Sequence, residues 1–64
     1  MRVIPTDVYD SNGDMLKIEF YNEAGTFEIE AVWDPEDEQT SENREKLRKW
    51  AYKMVKQLGY EVAV

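Results

Sequence analysis

The chain contains neither cysteine nor histidine among its 64 residues. The lack of cysteine excludes disulfides and thiolate chemistry, so the fold must be stabilised by its apolar core alone. The lack of both residues also removes the commonest ligands of transition metals and the commonest general base. We therefore predict that the protein is not an enzyme and has no catalytic residue, no metal ligand and no cofactor.

Long apolar runs are also missing, since no stretch approaches the ~18 residues that a membrane-spanning helix requires. The first residues lack the charged segment followed by an apolar stretch that is typical of a secretion signal. We expect no association with a membrane, and we expect a cytoplasmic location. The length predicts a single domain, residues 1–64, near the lower limit for a chain that folds alone.

Alternating polarity predicts four strands, and helical periodicity predicts one helix between the third and the fourth. The strands are expected at about 3–9, 15–21, 26–33 and 60–64, and the helix at about 41–58. Asn12-Gly13, between the first two strands, is a strong hairpin signal. Unbroken alternation along the second and third strands assigns these side chains to the core: Leu16, Ile18, Phe20, Phe27, Ile29, Ala31 and Trp33.

The predicted helix begins at Thr40 or Ser41, which are typical capping residues, and ends before Gly59, which suits the left-handed position beyond a C-terminus. One apolar stripe at helical spacing is expected to pack on the sheet. The stripe consists of Leu47, Trp50, Ala51, Met54, Val55 and Leu58. Tyr52 lies outside it and is expected on the exposed back of the helix.

The element order β-β-β-α-β predicts an α+β fold. This is a small two-layer domain in which one helix packs on one face of a mostly antiparallel four-stranded sheet. The helical crossover makes the last strand parallel to the third. The last strand can lie beside the first strand or beside the third. Pro5 favours an edge position for the first strand, because proline cannot donate a ladder hydrogen bond. The reach of the crossover favours the last strand beside the first, which is the arrangement that we predict.

Charge is distributed unevenly along the chain. Residues 1–40 contain eleven acidic and two basic residues, a net of -9, whereas residues 41–64 contain three acidic and six basic residues, a net of +3. The open face of the sheet is expected to carry part of the negative charge. We predict that five residues of that face bind a partner: Glu19, Tyr21, Glu28, Glu30 and Val32. This pattern predicts a small acidic protein-interaction module that docks on a basic surface of a larger protein, as a monomer or weak homo-oligomer.

Two alternatives stay open. The basic back of the helix combines lysines and arginines with Tyr52, which are the residue types that contact phosphates and stack on bases. We do not expect nucleic acid as the partner, because the acidic remainder of the chain repels a polyanion. The consistent turn, alternation and capping signals also fit a designed or orphan mini-domain that has no biochemical function.

One segment resembles a known group of proteins. Trp50-x-Tyr52, followed by Gly59-Tyr60-Glu61-Val62, is similar to the end of small phage-encoded inhibitors of bacterial RNA polymerase. Those proteins also combine a hairpin, one helix and a final strand in a very short chain. The resemblance covers residues 50–62 and implies a small accessory or inhibitor protein that binds a larger one. It assigns no functional residue, because the segment before Gly59 differs in length.

Overall fold

Residues 1–63 are described by a computed structural model, which contains four strands and one helix. The elements are β1 (Arg2–Tyr9), β2 (Met15–Asn22), β3 (Phe27–Val32), α1 (Ser41–Gln57) and β4 (Glu61–Val62). The sheet order is β3-β2-β1-β4, with β2 antiparallel to both neighbours and β4 parallel to β1. The predicted α+β fold is confirmed, and the last strand lies beside the first. Its predicted end at Val64 lies outside the described residues.

Pro5 lies in β1, an inner strand of the sheet, but β4 covers only the beginning of that strand. The carbonyl of Val3 accepts a hydrogen bond from the N–H of Ala63 at 2.8 Å. By the alternation of backbone groups along a strand, the next position of β1 that points to this edge is Pro5. The missing N–H of proline therefore removes no ladder hydrogen bond, since β4 ends before it reaches this position.

The two hairpin turns have the same construction. In the first, Oδ1 of Asp10 accepts hydrogen bonds from two backbone N–H groups of the turn, at 2.9 and 3.0 Å, and Gly13 has a φ of 83°. In the second, Oδ1 of Asn22 accepts two such bonds at 3.0 Å, and Gly25 again has a φ of 83°. Glycine adopts this left-handed conformation at little cost. The predicted hairpin at Asn12-Gly13 is confirmed.

A β-bulge at Leu16 changes the alternation of β2. Val8 lies opposite Lys17, whereas Tyr9 lies opposite Met15, so that Leu16 has no counterpart on β1. Met15 is therefore buried in the core, and Leu16 is 46% exposed. The prediction that Leu16 packs in the core is wrong, because an extra residue in one strand reverses which side chains face inward.

A second bulge, at Glu28, does the same in β3. Phe20 lies opposite Ile29, whereas Tyr21 lies opposite Phe27, so that Glu28 has no counterpart on β2. Phe27 therefore shares the face of Tyr21, is 46% exposed, and meets the Tyr21 ring edge to face at 6.0 Å. The prediction that Phe27 packs in the core is wrong for the same physical reason.

The core lies between α1 and one face of the sheet. Its buried side chains are Val3, Met15, Ile18, Phe20, Ala31, Trp33, Ala51 and Val55. α1 is capped by Thr40, whose Oγ1 accepts a hydrogen bond from the N–H of Asn43 at 3.1 Å. Gly59 follows the helix with a φ of 95°, as the sequence predicts. Within residues 1–63 the structure has no helix with the length and hydropathy that crossing a membrane requires.

α1 is rotated about its axis relative to the predicted stripe. Val55 is fully buried, but Trp50 is 55% exposed and Leu58 is exposed as well. Tyr52 instead turns toward the sheet, where its ring meets Phe20 edge to face at 6.0 Å. The predictions that Trp50 and Leu58 pack in the core, and that Tyr52 lies on the exposed back of the helix, are therefore wrong.

An ion pair between α1 and β1 accompanies this rotation. Nη2 of Arg48 lies 2.6 Å from Oδ2 of Asp7, and Nη1 of Arg48 lies 2.8 Å from a carboxylate oxygen of Glu45. The hydrogen bond to Asp7 raises the pKa of the Arg48 guanidinium. Because Arg48 faces the sheet, its neighbour Tyr52 is brought inward on the same flank of the helix. A polarity pattern assigns both residues to the outer side, so it misses this contact.

Candidate functional site

The face of the sheet opposite α1, which we call the open face, carries three cross-strand rows of side chains. Each row contains one residue from β1, one from β2 and one from β3. The rows are Ile4 with Tyr21 and Phe27, then Thr6 with Glu19 and Glu30, then Val8 with Lys17 and Val32. The open face therefore alternates between an apolar row, a charged row and a second apolar row that contains Lys17.

Lys17 balances half of the negative charge of the charged row. Its Nζ lies 2.9 Å from a carboxylate oxygen of Glu30 and 3.4 Å from one of Glu19. The hydrogen bond to Glu30, followed by the one to Glu19, raises the pKa of Lys17. Tyr21 donates its hydroxyl to Glu19 at 3.0 Å, and this bond, with a smaller contribution from burial, raises the pKa of Tyr21. The open face is thus less acidic than the sequence predicts.

Glu28 does not join Glu19 and Glu30. Its carboxylate accepts a hydrogen bond from Nδ2 of Asn22 at 2.8 Å and lies 3.5 Å from the hydroxyl of Tyr60. Tyr60 packs against the core, so the Glu28 carboxylate lies on the helix side of the sheet. The bulge at Glu28 explains this position, since a bulged residue departs from the alternation of its strand. The structure therefore brings together four of the five predicted binding residues.

Exposed apolar groups make up much of the open face. Val32 is 62% exposed, and Ile4 and Phe27 are each about half exposed. Ile4 and Phe27 flank Tyr21 in one row, while Val32 lies at the other end of β3. Adjoining exposed apolar groups with a polar surround are typical of protein interaction sites. The sequence prediction included Tyr21 and Val32 but missed Ile4 and Phe27.

One end of the molecule carries all of its net charge. Residues 9–16 and 33–40, which we call the acidic end, contain six carboxylates and no lysine or arginine. The six are Asp10, Asp14, Asp34, Glu36, Asp37 and Glu38. The other residues contain eight acidic and eight basic side chains, so the net charge of -6 belongs to the acidic end. Within residues 1–63, none of these six carboxylates forms a salt bridge.

Gln39 holds the two parts of the acidic end together. Its Oε1 accepts a hydrogen bond from the N–H of Met15, and its Nε2 donates one to the Met15 carbonyl, both at 2.9 Å. Nε1 of Trp33 donates to the carbonyl of Asp37 at 3.2 Å. A groove of about 280 Å³ lies between the two parts, lined by three carboxylates and by Leu16 and Pro35. In the described part of the chain, no group of carboxylates has an arrangement that could hold a metal ion.

The acidic end is continuous with the open face through Val32. This residue lines a groove together with Asp34 and Asp37. The neighbouring Lys17 shares the last row of the open face with Val32 and interacts with Glu30. A flat partner could therefore contact the exposed apolar groups and the carboxylates at the same time.

The outer side of α1 carries three lysines that form no salt bridge within residues 1–63. Lys49, Lys53 and Lys56 are exposed, and with Tyr52 they line a shallow groove of about 490 Å³. The Tyr52 ring, however, packs on Phe20, and burial raises the pKa of its hydroxyl. Tyr52, the residue that the sequence analysis considered for stacking on a base, is therefore engaged in packing, and the exposed aromatic side chain of α1 is Trp50.

We expect the burial of Tyr52 to make the fold sensitive to alkaline pH. Its folded-state pKa is raised above the ordinary value of 10.0, chiefly by burial. The unfolded chain then releases this proton first, so the stabilisation is complete below about pH 10 and is lost as pH rises through the folded pKa. We expect Tyr52→Phe to flatten the alkaline decline of the urea midpoint, measured by circular dichroism. A decline of unchanged slope would contradict this assignment.

The chain has no match among protein-family models, curated proteins or solved structures. Two features of its surface stand out: an acidic end with the whole net charge, and an open face with exposed apolar rows next to it.

Proposed function

We propose that the chain is a non-enzymatic protein-binding module that docks its acidic end and the adjoining open face onto a basic surface of a larger cytoplasmic protein. The observation that carries this proposal is the concentration of the entire net charge of -6 in residues 9–16 and 33–40. A charge of one sign at one end orients the approach of a partner of opposite charge and speeds its association.

The exposed apolar rows supply the second part of the interface. Protein interfaces combine an apolar centre with a polar rim, and aromatic residues are enriched in the centre. Phe27, Tyr21 and Ile4 provide such a centre, and the acidic end forms a charged rim beside Val32. The resemblance of residues 50–62 to phage-encoded inhibitors of RNA polymerase agrees with a small protein that binds a larger one.

A capture experiment with matched variants tests this function. The acidic-end variant combines Glu36→Gln, Asp37→Asn and Glu38→Gln. The control variant combines Glu23→Gln, Glu45→Gln and Glu61→Gln, which are exposed carboxylates outside the acidic end. Both variants have the same net charge, so a difference between them reports the position of the charge and not its amount.

The expected result is a partner that the unmodified protein and the control variant enrich from a bacterial lysate, and that the acidic-end variant loses. Capture should weaken as salt is raised from about 0.05 to 0.5 M, because salt screens exposed charges. Quantitative mass spectrometry measures the enrichment. The proposal fails if no protein shows this pattern, or if both variants retain every captured protein equally.

A further inference from the structure

β3 has a free backbone edge. It is the outer strand of the sheet, and among residues 1–63 it pairs only with β2. The N–H of Trp33 donates to the carbonyl of Leu16 at 2.9 Å, which fixes the alternation of backbone groups along β3. The N–H and C=O of Ala31 therefore face β2. Those of Glu30 and Val32 face outward and are available to another strand.

The opposite edge of the sheet is less suited to strand addition. β4 occupies the first part of β1, and the next edge position is Pro5, which has no N–H to donate. β3 contains no proline, and its side chains Phe27 and Val32 are exposed. A strand that joins this sheet is therefore expected at β3.

A groove beside β3 can receive a side chain of the added strand. It has a volume of about 480 Å³ and lies between the end of β3 and α1, with Trp33, Leu47 and Trp50 among its walls. Trp50 is more than half exposed there. Side chains of a strand point to alternate faces, so a residue opposite Ala31 directs its side chain to the helix side, toward this groove.

Charge decides which kind of strand fits. Glu30 lies on the open face at the edge. The groove at the end of β3 is lined by two carboxylates, Asp34 and Asp37, and by one cation, Lys46, so its net charge is negative. A second copy of the chain brings an equally acidic β3 to this edge, and like charges on facing strands are unfavourable. A strand with lysine or arginine opposite Glu30 forms an attractive cross-strand pair instead.

We propose that β3 pairs with an extended basic segment of the partner protein, which adds a strand to the sheet and inserts an apolar side chain between Trp33 and Trp50. This inference rests on the proposed function, because it specifies the part of the partner that the acidic end receives. Main-chain hydrogen bonds to Glu30 and Val32 supply affinity, and the groove selects the apolar residue.

Amide hydrogen exchange tests the pairing directly. The probe is a synthetic peptide of alternating lysine and valine, long enough to span β3. With the peptide at about ten times its Kd, exchange at the Glu30 and Val32 amides should slow about tenfold, because only the free tenth of the protein exchanges. The amide of Ala31, which already bonds to β2, serves as the internal reference.

Two variants of one residue separate backbone pairing from side-chain contact. Val32→Pro removes an outward N–H, whereas Val32→Ala removes most of the side chain and keeps that N–H. We expect peptide affinity to fall about tenfold or more in Val32→Pro, and by only about threefold in Val32→Ala, which loses exposed apolar surface but keeps the backbone hydrogen bond. A thermal melt of each variant confirms that the affinities refer to folded protein.

Several outcomes overturn the inference. They are an absence of peptide binding, binding without protection of the Glu30 and Val32 amides, and protection that appears without peptide as protein concentration rises, which indicates a second copy. The lysate partner separates this inference from the proposed function. If Val32→Pro keeps the partner while the acidic-end variant loses it, strand addition is wrong and the proposed function stands. If the acidic-end variant keeps the partner, the proposed function fails.

Discussion

Phe20→Ala is expected to leave the chain largely unfolded at room temperature. Phe20 is fully buried at the centre of the sheet, and its ring contacts Tyr52 of α1. Truncation of a buried phenylalanine costs about 3–5 kcal/mol through lost burial and the cavity that remains. A core of this size supplies a total stability of only about 3–5 kcal/mol. Circular dichroism and tryptophan fluorescence in a urea titration measure the loss.

Phe27→Ala is the matched control for this prediction. It makes the same chemical change on the adjacent strand, but at a side chain that lies about half exposed on the open face. We expect its free energy of unfolding to fall by about 1 kcal/mol or less, since little apolar surface is returned to water. Equal losses in the two variants would contradict the assignment of Phe20 to the core and of Phe27 to the open face.

Ala31→Pro should destabilise the fold far more than Val32→Pro. The N–H of Ala31 faces β2, so proline there breaks a ladder hydrogen bond and leaves a buried carbonyl of β2 unpaired. An unpaired buried group costs about 1–3 kcal/mol, and the fit of the proline ring between two strands adds to this. At position 32 the missing N–H faces solvent, as proline at a sheet edge requires.

The comparison is read from urea midpoints of the two proline variants. We expect the urea midpoint to be highest for the unmodified protein, slightly lower for Val32→Pro, and lowest for Ala31→Pro, which should lose most of its stability. The reverse order would mean that the outward groups of β3 are those of Ala31. In that case the N–H and C=O groups of Glu30 and Val32 would not be available to an added strand, although the order of the strands in the sheet would still hold.

The order of elements was predictable because each one has a local signal. Period-two alternation, the Asn12-Gly13 turn, the Thr40 cap and Gly59 identify the hairpin and the helix without reference to tertiary contacts. The position of the last strand followed from the geometry of a helical crossover, and the structure agrees. Pro5 favoured an edge position for β1. In the structure β1 is an inner strand, but the edge of β1 at Pro5 lies beyond the end of β4 and is unpaired there within residues 1–63.

The bulges were not predicted because alternation alone does not fix register. The hairpin turns determine the register of the strands. Each turn closes on a residue pair, Asp10 with Asp14 and Asn22 with Thr26, as their backbone hydrogen bonds at 2.9 Å show. Counting outward from Asn22 and Thr26 sets Phe27 opposite Tyr21, and therefore on the open face.

The rotation of α1 depends on contacts that no local pattern contains. Arg48 bonds to Asp7, which is forty-one positions earlier in the chain, and in this orientation of the helix Tyr52 faces inward and Trp50 outward. A polarity pattern treats arginine as exposed, although its long stem and charged head can cover a core and reach a carboxylate. The sequence placed Glu28 on the open face for a related reason. The bulge at this residue brings its carboxylate to Asn22 and Tyr60 instead, and alternation does not reveal a bulge.

The candidate site was predicted in part. The sequence indicated an acidic surface and named Val32, which lies between the open face and the acidic end. It attributed part of the charge to the open face of the sheet, where Lys17 pairs with Glu19 and Glu30. Only the assembled fold brings residues 9–16 and 33–40 together, through the side chain of Gln39 bonded to Met15.

Binding through the acidic end is tested most directly by measuring the affinity of the purified partner for three proteins at the same salt concentration. They are the unmodified protein, the acidic-end variant and the control variant. We predict that the acidic-end variant binds at least about tenfold more weakly than the unmodified protein and that the affinity of the control variant stays within about twofold of it. The reason is that the two variants differ in where charge is removed and not in how much. Equal affinities for the two variants would contradict the claim that this chain binds its partner through the acidic end.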